Sequence, residues 1–177
     1  MVSSGVLNKN YKRLDSLQAE LIKLLGQEEK TGTLAEVAKG ADVLLGVSAA
    51  GAFTPEILKN LAKDSIVFAM ANPNPEAMYD DAKACGVRVM GTGRSDAPNQ
   101  INNVNVFPGL FRGAIDVHAS KINDEMKLAA AYAIAGLIDE KELTPDYIIP
   151  NPFDKRVAKA VAEAVAKAAR DTGVSRI

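Results

Sequence analysis

The sequence predicts an α/β domain: a doubly wound parallel sheet followed by C-terminal helices. Three observations predict it. Three short apolar runs, ADVLLG (41–46), SIVFAM (65–70) and VRVM (87–90), alternate with helical patterns. Each run feeds a turn of small residues, Pro or Asn. The last third of the chain is dominated by helical periodicity rather than by further strand-like runs.

Length and composition bound the rest. The 177 residues suffice for one domain with a real core. The net charge is −1 with both signs scattered, so no electrostatic footprint for nucleic acid is present. Cys85 is the single cysteine, which excludes an internal disulfide and a thiol cluster for zinc and suits a reducing, cytoplasmic setting. No apolar run reaches the ~18 residues of a membrane span. Residues 1–5 lack the basic and apolar blocks of a signal peptide.

In chain order, residues 14–25 read as an amphipathic helix, with Leu14, Leu17, Leu21, Ile22, Leu24 and Leu25 near helical spacing. The Glu- and Lys-rich stretch 15–30 reads as a solvated face. Thr33 and Glu36 form a capping box for a short helix over 34–39, ended by Gly40. Residues 41–46 read as a buried parallel strand entering the small-residue loop Gly46-Val47-Ser48-Ala49-Ala50-Gly51. Thr54-Pro55 starts a helix expected to reach Lys63. A second buried strand, 65–70, ends in Ala71-Asn72-Pro73-Asn74-Pro75, where the prolines bias Asn72 and Asn74 to extended or turn conformations. A helix is expected over 76–85, stopped by Gly86, and a third strand over 87–90. In such sheets ligands lie off the carboxyl ends of the strands. Three loops, 46–51, 71–75 and 91–95, should therefore share one rim.

Beyond the third strand lies a carboxamide cluster: Asn99, Gln100, Asn102, Asn103 and Asn105. If the segment is helical, Asn99, Asn102 and Asn103 share one face. Carboxamides offer donors and acceptors without ionising, which suits a small ligand bearing carboxylates or hydroxyls. A polar loop of Asn-rich turns is the other reading. Pro108-Gly109 is expected to interrupt the helical pattern, with an offset helix over 110–119. Asp124 is expected to cap a helix over 125–138, apolar nearly all round and so buried. Residues 147–149 could form a short edge strand. Asp154 should cap the last helix, 155–172, with Val157, Val161, Val165 and Ala168 on one face and Gly173 closing it.

The residues alone assign no general acid, base or nucleophile. His118, the only histidine, reads as a surface or packing residue. Arg94 could bind an anion, whereas Asp96 reads as a helix cap. Gly91-Thr92-Gly93 is not a dinucleotide fingerprint, because Asp96 stands at the third glycine position. Asp80 and Asp81 are helix neighbours that point in different directions, so they read as a solvated face rather than an ion site.

The stretches GTGRSDAPNQINNVNVFPGLFRGAIDV (91–117), FAMANPNPE (68–76), ADVLLGVSAAGAFTPE (41–56), INDEMKLAAAYAIAGL (122–137) and YIIPNPFDKRVAKAVAEAVAKAA (147–169) together resemble the bacterial malic enzymes. These are oxidoreductases that use NAD or NADP and a divalent metal, Mg or Mn, to convert malate to pyruvate. The resemblance implies an incomplete Rossmann-like sheet and places Asn72, Asn102 and Asn103 at the substrate. It places the loop of Gly46, Val47, Ser48 and Ala49, together with Asn72 and Asn103, at the cofactor. Neutral amides can orient a carboxylate and a hydroxyl, and orientation is what hydride transfer needs.

In the family, the tyrosine and lysine of acid–base chemistry, the acidic metal ligands and the glycine-rich dinucleotide loop all lie upstream of the matching region. None of those motifs occurs here, so no catalytic or metal-binding residue is assigned. Residues 1–177 are thus expected to be a partial NAD(P)-binding domain, without the first βαβ unit and the N-terminal catalytic domain, and inactive by themselves. Val2 stands where the family commonly has an acidic residue for the adenosine ribose, which leaves NAD against NADP open. Malate and pyruvate are the expected small-molecule partners, and a homo-oligomer is expected. The competing expectations are a non-catalytic, self-associating remnant or a subunit of a split enzyme, and an unrelated Rossmann-like binder, against which the carboxamide motif argues.

Overall fold

The computed structural model describes residues 6, 14–25 and 31–177. The expectations for residues 1–5, including the place of Val2, and for 26–30 lie outside the described residues. The described elements are α1 (Ser16–Leu25), α2 (Leu34–Ala38), β1 (Val43–Gly46), α3 (Pro55–Lys59), β2 (Ile66–Ala69), α4 (Tyr79–Ala84), β3 (Val89–Thr92), a 3-10 turn (Asn103–Asn105), α5 (Phe107–Asp116), α6 (Asp124–Ala135) and α7 (Lys155–Asp171). The fold is α/β, with one parallel sheet in the order β1-β2-β3. Gly46 aligns with Ala69, and Ala69 with Thr92, so the three strands end level and their carboxyl ends form one rim. Among the described residues no helix is long and apolar enough to cross a membrane.

Two apolar clusters support this frame. The first joins Val67, Ala69 and Met90 of the sheet to Phe53, Leu58, Ala77, Ala82 and Val87. The second lies between α5, α6 and α7, around Leu110, Val117, Met126, Val157, Val161 and Val165. Gly109 and Gly113 of α5 bring that helix onto α7. A Cβ at Gly109 would stand 2.6 Å from Val161 Cβ and 2.7 Å from the Ala158 carbonyl, and one at Gly113 would meet the Ala162 carbonyl. Pro108 and Gly109 therefore do not interrupt the helix. Proline sits in its first turn, where no intrahelical N–H bond is lost, and glycine allows the contact.

Other departures have equally local causes. α3 stops at Lys59 rather than Lys63, because the Asn60 carbonyl accepts the Gly40 N–H at 2.8 Å and the Ala62 N–H goes to the Ala41 carbonyl at 3.0 Å. α4 starts at Tyr79 rather than Glu76, because the Glu76 carbonyl is already engaged by the Phe53 N–H at 3.0 Å. β3 lies two residues later than predicted, because the Val87 N–H closes the turn onto the Ala82 carbonyl. Gly91 and Thr92 are thus strand, not turn. The cap of α6 is Asn123, whose side chain accepts the Met126 N–H, and Asp124 is the first helical residue.

Burial also differs from expectation. β1 is not a fully buried strand: Val43 and Leu45 are exposed, since β1 pairs only with β2 and its outward-facing side chains lack a cover among the described residues. α6 buries only Met126 and Ala130 and exposes Leu128 and Tyr132, because α7 covers a single side of it. α1 buries none of its leucines. Residues 147–149 form no strand. The Tyr147 N–H turns back to Thr144, and the Ile148 N–H goes to a side chain. The capping box of Thr33 and Glu36, the Thr54-Pro55 start and the Asp154 cap are as predicted.

Candidate functional site

The rim is assembled from backbone first. The Met70 N–H donates to the Gly46 carbonyl at 3.0 Å, and the Gly51 N–H to the Pro75 carbonyl at 3.2 Å, so the loops after β1 and β2 run side by side. Glu76 joins them. Its side chain is fully buried, yet it carries a carboxylate. Oε1 accepts the Ser48 N–H at 2.6 Å and the Ser48 hydroxyl at 3.0 Å, and Oε2 accepts the Ala71 N–H at 3.0 Å. Burial pushes this carboxyl up, but the backbone N–H groups of Ser48, Ala71 and Glu76 itself, with the Ser48 hydroxyl, together outweigh it and hold it below the ordinary carboxylate value. Gly46 makes the arrangement possible, since a Cβ there would stand 2.6 Å from Glu76 Cδ and 2.7 Å from Phe53 Cζ.

Sequence reasoning missed Glu76 by absorbing it into the following helix. No local signal marks it, since Glu76 stands three residues before the first helical residue, Tyr79, and it is the bonds from Ser48 and Ala71 that place it in the rim.

The third loop brings the carboxamides together. The segment 99–102 is not α-helical, so Asn99, Asn102 and Asn103 do not share a helix face. Instead Ile101 donates to the Thr92 carbonyl at 2.7 Å, and Thr92 donates to the Asn99 carbonyl at 3.3 Å, which continues β3 as a bridge to Gln100. Asn102 caps the 3-10 turn through Oδ1, which accepts the Val104 N–H at 3.1 Å, and its Nδ2 donates to the Gly93 carbonyl at 3.2 Å. Asn72, on the neighbouring loop, lies over the same glycine: a Cβ at Gly93 would stand 2.9 Å from Asn72 Oδ1. Gly93 is thus the point where Asn72 and Asn102 meet. Asn103 is exposed beside them, and among the described residues its side chain makes no hydrogen bond.

Asn99 and Asn105 are turned inward and are buried. Asn99 donates to the carbonyls of Met90 at 3.0 Å and Pro145 at 2.8 Å and accepts the Ile148 N–H at 2.9 Å. Asn105 donates to the Gln100 carbonyl at 3.4 Å, and its Oδ1 has no partner among the described residues. Asp96 caps no helix; it pairs with Arg94 through two hydrogen bonds of 2.8 and 2.5 Å. His118 is exposed, two residues past the end of α5.

Residues 1–170 match the family model for the malic enzyme NAD-binding domain. The chain belongs to the malic enzyme family. It is 59% identical over 164 residues to a bifunctional malic/malolactic enzyme of Bacillus subtilis, covering 93% of this chain and 40% of that protein. It is 54% identical over 172 residues to an NAD-dependent malic enzyme of Geobacillus stearothermophilus, covering 97% of this chain and 36% of that protein. Relatives described as NADP-dependent malic enzymes match as well. Among solved structures, the malic enzyme of Entamoeba histolytica superposes over 100% of this chain and 38% of its own, at 34% identity and a TM-score of 0.90. The chain therefore spans well under half the length of these malic enzymes.

The rim has the features that loops at the carboxyl ends of parallel strands offer to a ligand. It offers an exposed loop, Val47 to Ala50, next to a glycine-backed pair of amides, all off the carboxyl ends of parallel strands. A divalent metal is different: among the described residues no group of three His, Cys, Asp or Glu side chains could hold one.

Proposed function

We propose that this chain is the part of a malic enzyme that holds the nicotinamide end of NAD or NADP and orients malate for oxidation and decarboxylation to pyruvate. The observation that carries the reading is the convergence of the Asn72 and Asn102 amides on Gly93, with exposed Asn103 alongside. In this reading Asn72, Asn102 and Asn103 contact the substrate. Gly46, Val47, Ser48 and Ala49, with Asn72 and Asn103, line the cofactor.

A bound NAD or NADP, held by Gly46, Val47, Ser48, Ala49, Asn72 and Asn103, would supply the hydride acceptor for C2 of malate, while the proton lost from the hydroxyl and the proton gained after carbon dioxide departs would need a base and an acid that these residues do not provide. Neutral amides can fix the carboxylate and hydroxyl of malate while leaving C2 facing the ring, and such fixed geometry is a large share of what an enzyme contributes to hydride transfer. The divalent ion, Mg²⁺ or Mn²⁺, that the family resemblance implies would act as a Lewis acid, but no step is assigned to it on this chain's residues. The residues described here do not form its site, so the ligands and the proton-transfer groups belong elsewhere in this reading. The domain boundaries are those of a partial NAD(P)-binding domain over residues 1–177, and a reducing, cytoplasmic setting agrees with the free Cys85.

The experiment has two arms. Titration of the chain with NADH and NADPH, followed by fluorescence, should show saturable binding of at least one of them. A malate-dependent reduction assay with Mn²⁺ should show no turnover. Failure to bind either dinucleotide overturns the cofactor reading, and turnover above the blank overturns the claim of inactivity.

Self-association is a second reading, favoured by the exposure of Val43 and Leu45 on β1 and of Leu17, Leu24 and Leu25 on α1. Light scattering on a size-exclusion column should then give a homo-oligomer. A monomer at high concentration removes this reading.

A further inference from the structure

We propose that Glu76 is a positioning residue that locks the cofactor-side loop and the Asn72 loop together, and that only a carboxylate can do so. The inference rests on the cofactor reading above and adds a residue to it. Every group that Glu76 meets through its side chain is a donor: the Ser48 N–H and hydroxyl on Oε1, and the Ala71 N–H on Oε2. Two oxygens are needed, one for each loop. Glutamine has one oxygen and one NH₂, so in either orientation its NH₂ faces a backbone N–H. An unmet buried N–H is costly, and the loop that carries it loosens.

The placement explains why the lock matters to the rim. The bases of the two loops are already joined by main-chain bonds, from Met70 to Gly46, from Gly51 to Pro75 and from Phe53 to Glu76. Glu76 adds the bonds nearer the tips. Ser48 belongs to the exposed loop assigned to the cofactor, and Ala71 directly precedes Asn72. Fixing the Ala71 N–H fixes where the Asn72 amide begins, and fixing Ser48 sets its distance from that amide. Gly46 is the matching sequence feature, because any side chain there would occupy the space of the Glu76 carboxylate.

The test uses the full chain, with amide exchange followed by NMR and dinucleotide binding followed by NADH and NADPH fluorescence. In the unsubstituted chain the Ser48 and Ala71 amides should exchange slowly and at a common rate. In Glu76→Gln at least one of the two should exchange tenfold faster or more, and the dissociation constant should rise about tenfold, or ~1.4 kcal/mol. Glu76→Asp keeps both oxygens with one methylene less reach and should recover part of the protection. Unchanged exchange at both amides in Glu76→Gln, or undiminished binding, overturns the proposal. If Glu76→Gln does not fold, the unsubstituted chain still decides: exchange rates at Ser48 and Ala71 that differ more than tenfold show that no single clasp holds both loops. A chain that binds neither dinucleotide sinks the cofactor reading, while the exchange rates judge the clasp separately.

Discussion

Asn99 accepts the backbone N–H of Ile148 at 2.9 Å, across 49 residues of sequence. The same side chain donates to the carbonyls of Met90 and Pro145, so one buried amide ties β3 to the segment that leads into α7. All its capacity for this role requires an amide, since two partners are acceptors and one is a donor. Asn99 also sits at φ +54°, in the left-handed region that asparagine tolerates better than most residues.

Asn99→Asp should therefore cost about 2–3 kcal/mol of stability, because a carboxylate would face two carbonyl oxygens without a proton to give. Urea denaturation measures this. Asp and Asn have nearly the same volume, so a loss below about 0.5 kcal/mol would mean that the amide network does not hold the two segments.

The contact of α5 with α7 predicts a second loss. Gly109→Val places methyl groups where Val161 and the Ala158 carbonyl already stand. Overpacking of this kind costs about 1–3 kcal/mol, with the backbone carbonyl favouring the upper end because it cannot rotate away. The same denaturation series, with Gly40→Val as a reference, separates crowding from backbone strain: Gly40 has open space but lies at φ +71°.

The two neighbouring asparagines should respond differently. Asn102→Ala removes the cap of the 3-10 turn and the bond to Gly93, so both stability, by about 1 kcal/mol, and dinucleotide binding should fall. Asn103→Ala should leave the melting temperature nearly unchanged and weaken binding alone, since its exposed amide has no hydrogen bond among the described residues. Equal thermal losses in the two variants would contradict this division.

Tyr79 and Asp146 predict a pH dependence. The Tyr79 hydroxyl donates to Asp146 at 2.5 Å, and Lys83 pairs with the same carboxylate at 3.2 Å. Burial, then the Asp146 bond and charge, then Asp80, raise the Tyr79 phenol to about 12. Its folded value is above the unfolded one of about 10, so its contribution to stability is full below pH ~10 and is lost as pH rises towards 12. The Asp146 carboxyl is lowered, by the Tyr79 bond first, against the opposing cost of burial that ranks next, with Lys83 adding smaller contributions. Its contribution is present above its unfolded value near 4 and fades as pH falls through the lowered one. The melting-temperature gap between the native chain and Tyr79→Phe should be flat from about pH 5 to 9 and narrow at both extremes. A gap independent of pH would show that the pair does not stabilise the fold.

Much of the frame was legible along the chain. Three apolar runs separated by helical patterns announce parallel strands, and Thr33, Thr54 and Asp154 announce helix starts, because caps and periodicity act over three or four residues. The family likeness was likewise carried by contiguous motifs. Burial was read less well. Leu45 and Leu128 look like core residues in sequence yet are exposed, since an apolar pattern states which face could be covered, not whether a neighbour covers it.

The sequence by itself determined the order of elements, the parallel α/β class and the candidate asparagines. Only the tertiary structure decided what each asparagine does. Asn99 turns inward to bind three backbone groups, Asn102 caps a turn while reaching Gly93, and Asn103 stays exposed. It also decided that Glu76 belongs to the rim and not to a helix. The reason is physical: whether an amide or a carboxylate serves the fold or a ligand depends on which backbone donors and acceptors reach it first, and Ser48, Pro145 and Ile148 come from distant parts of the chain.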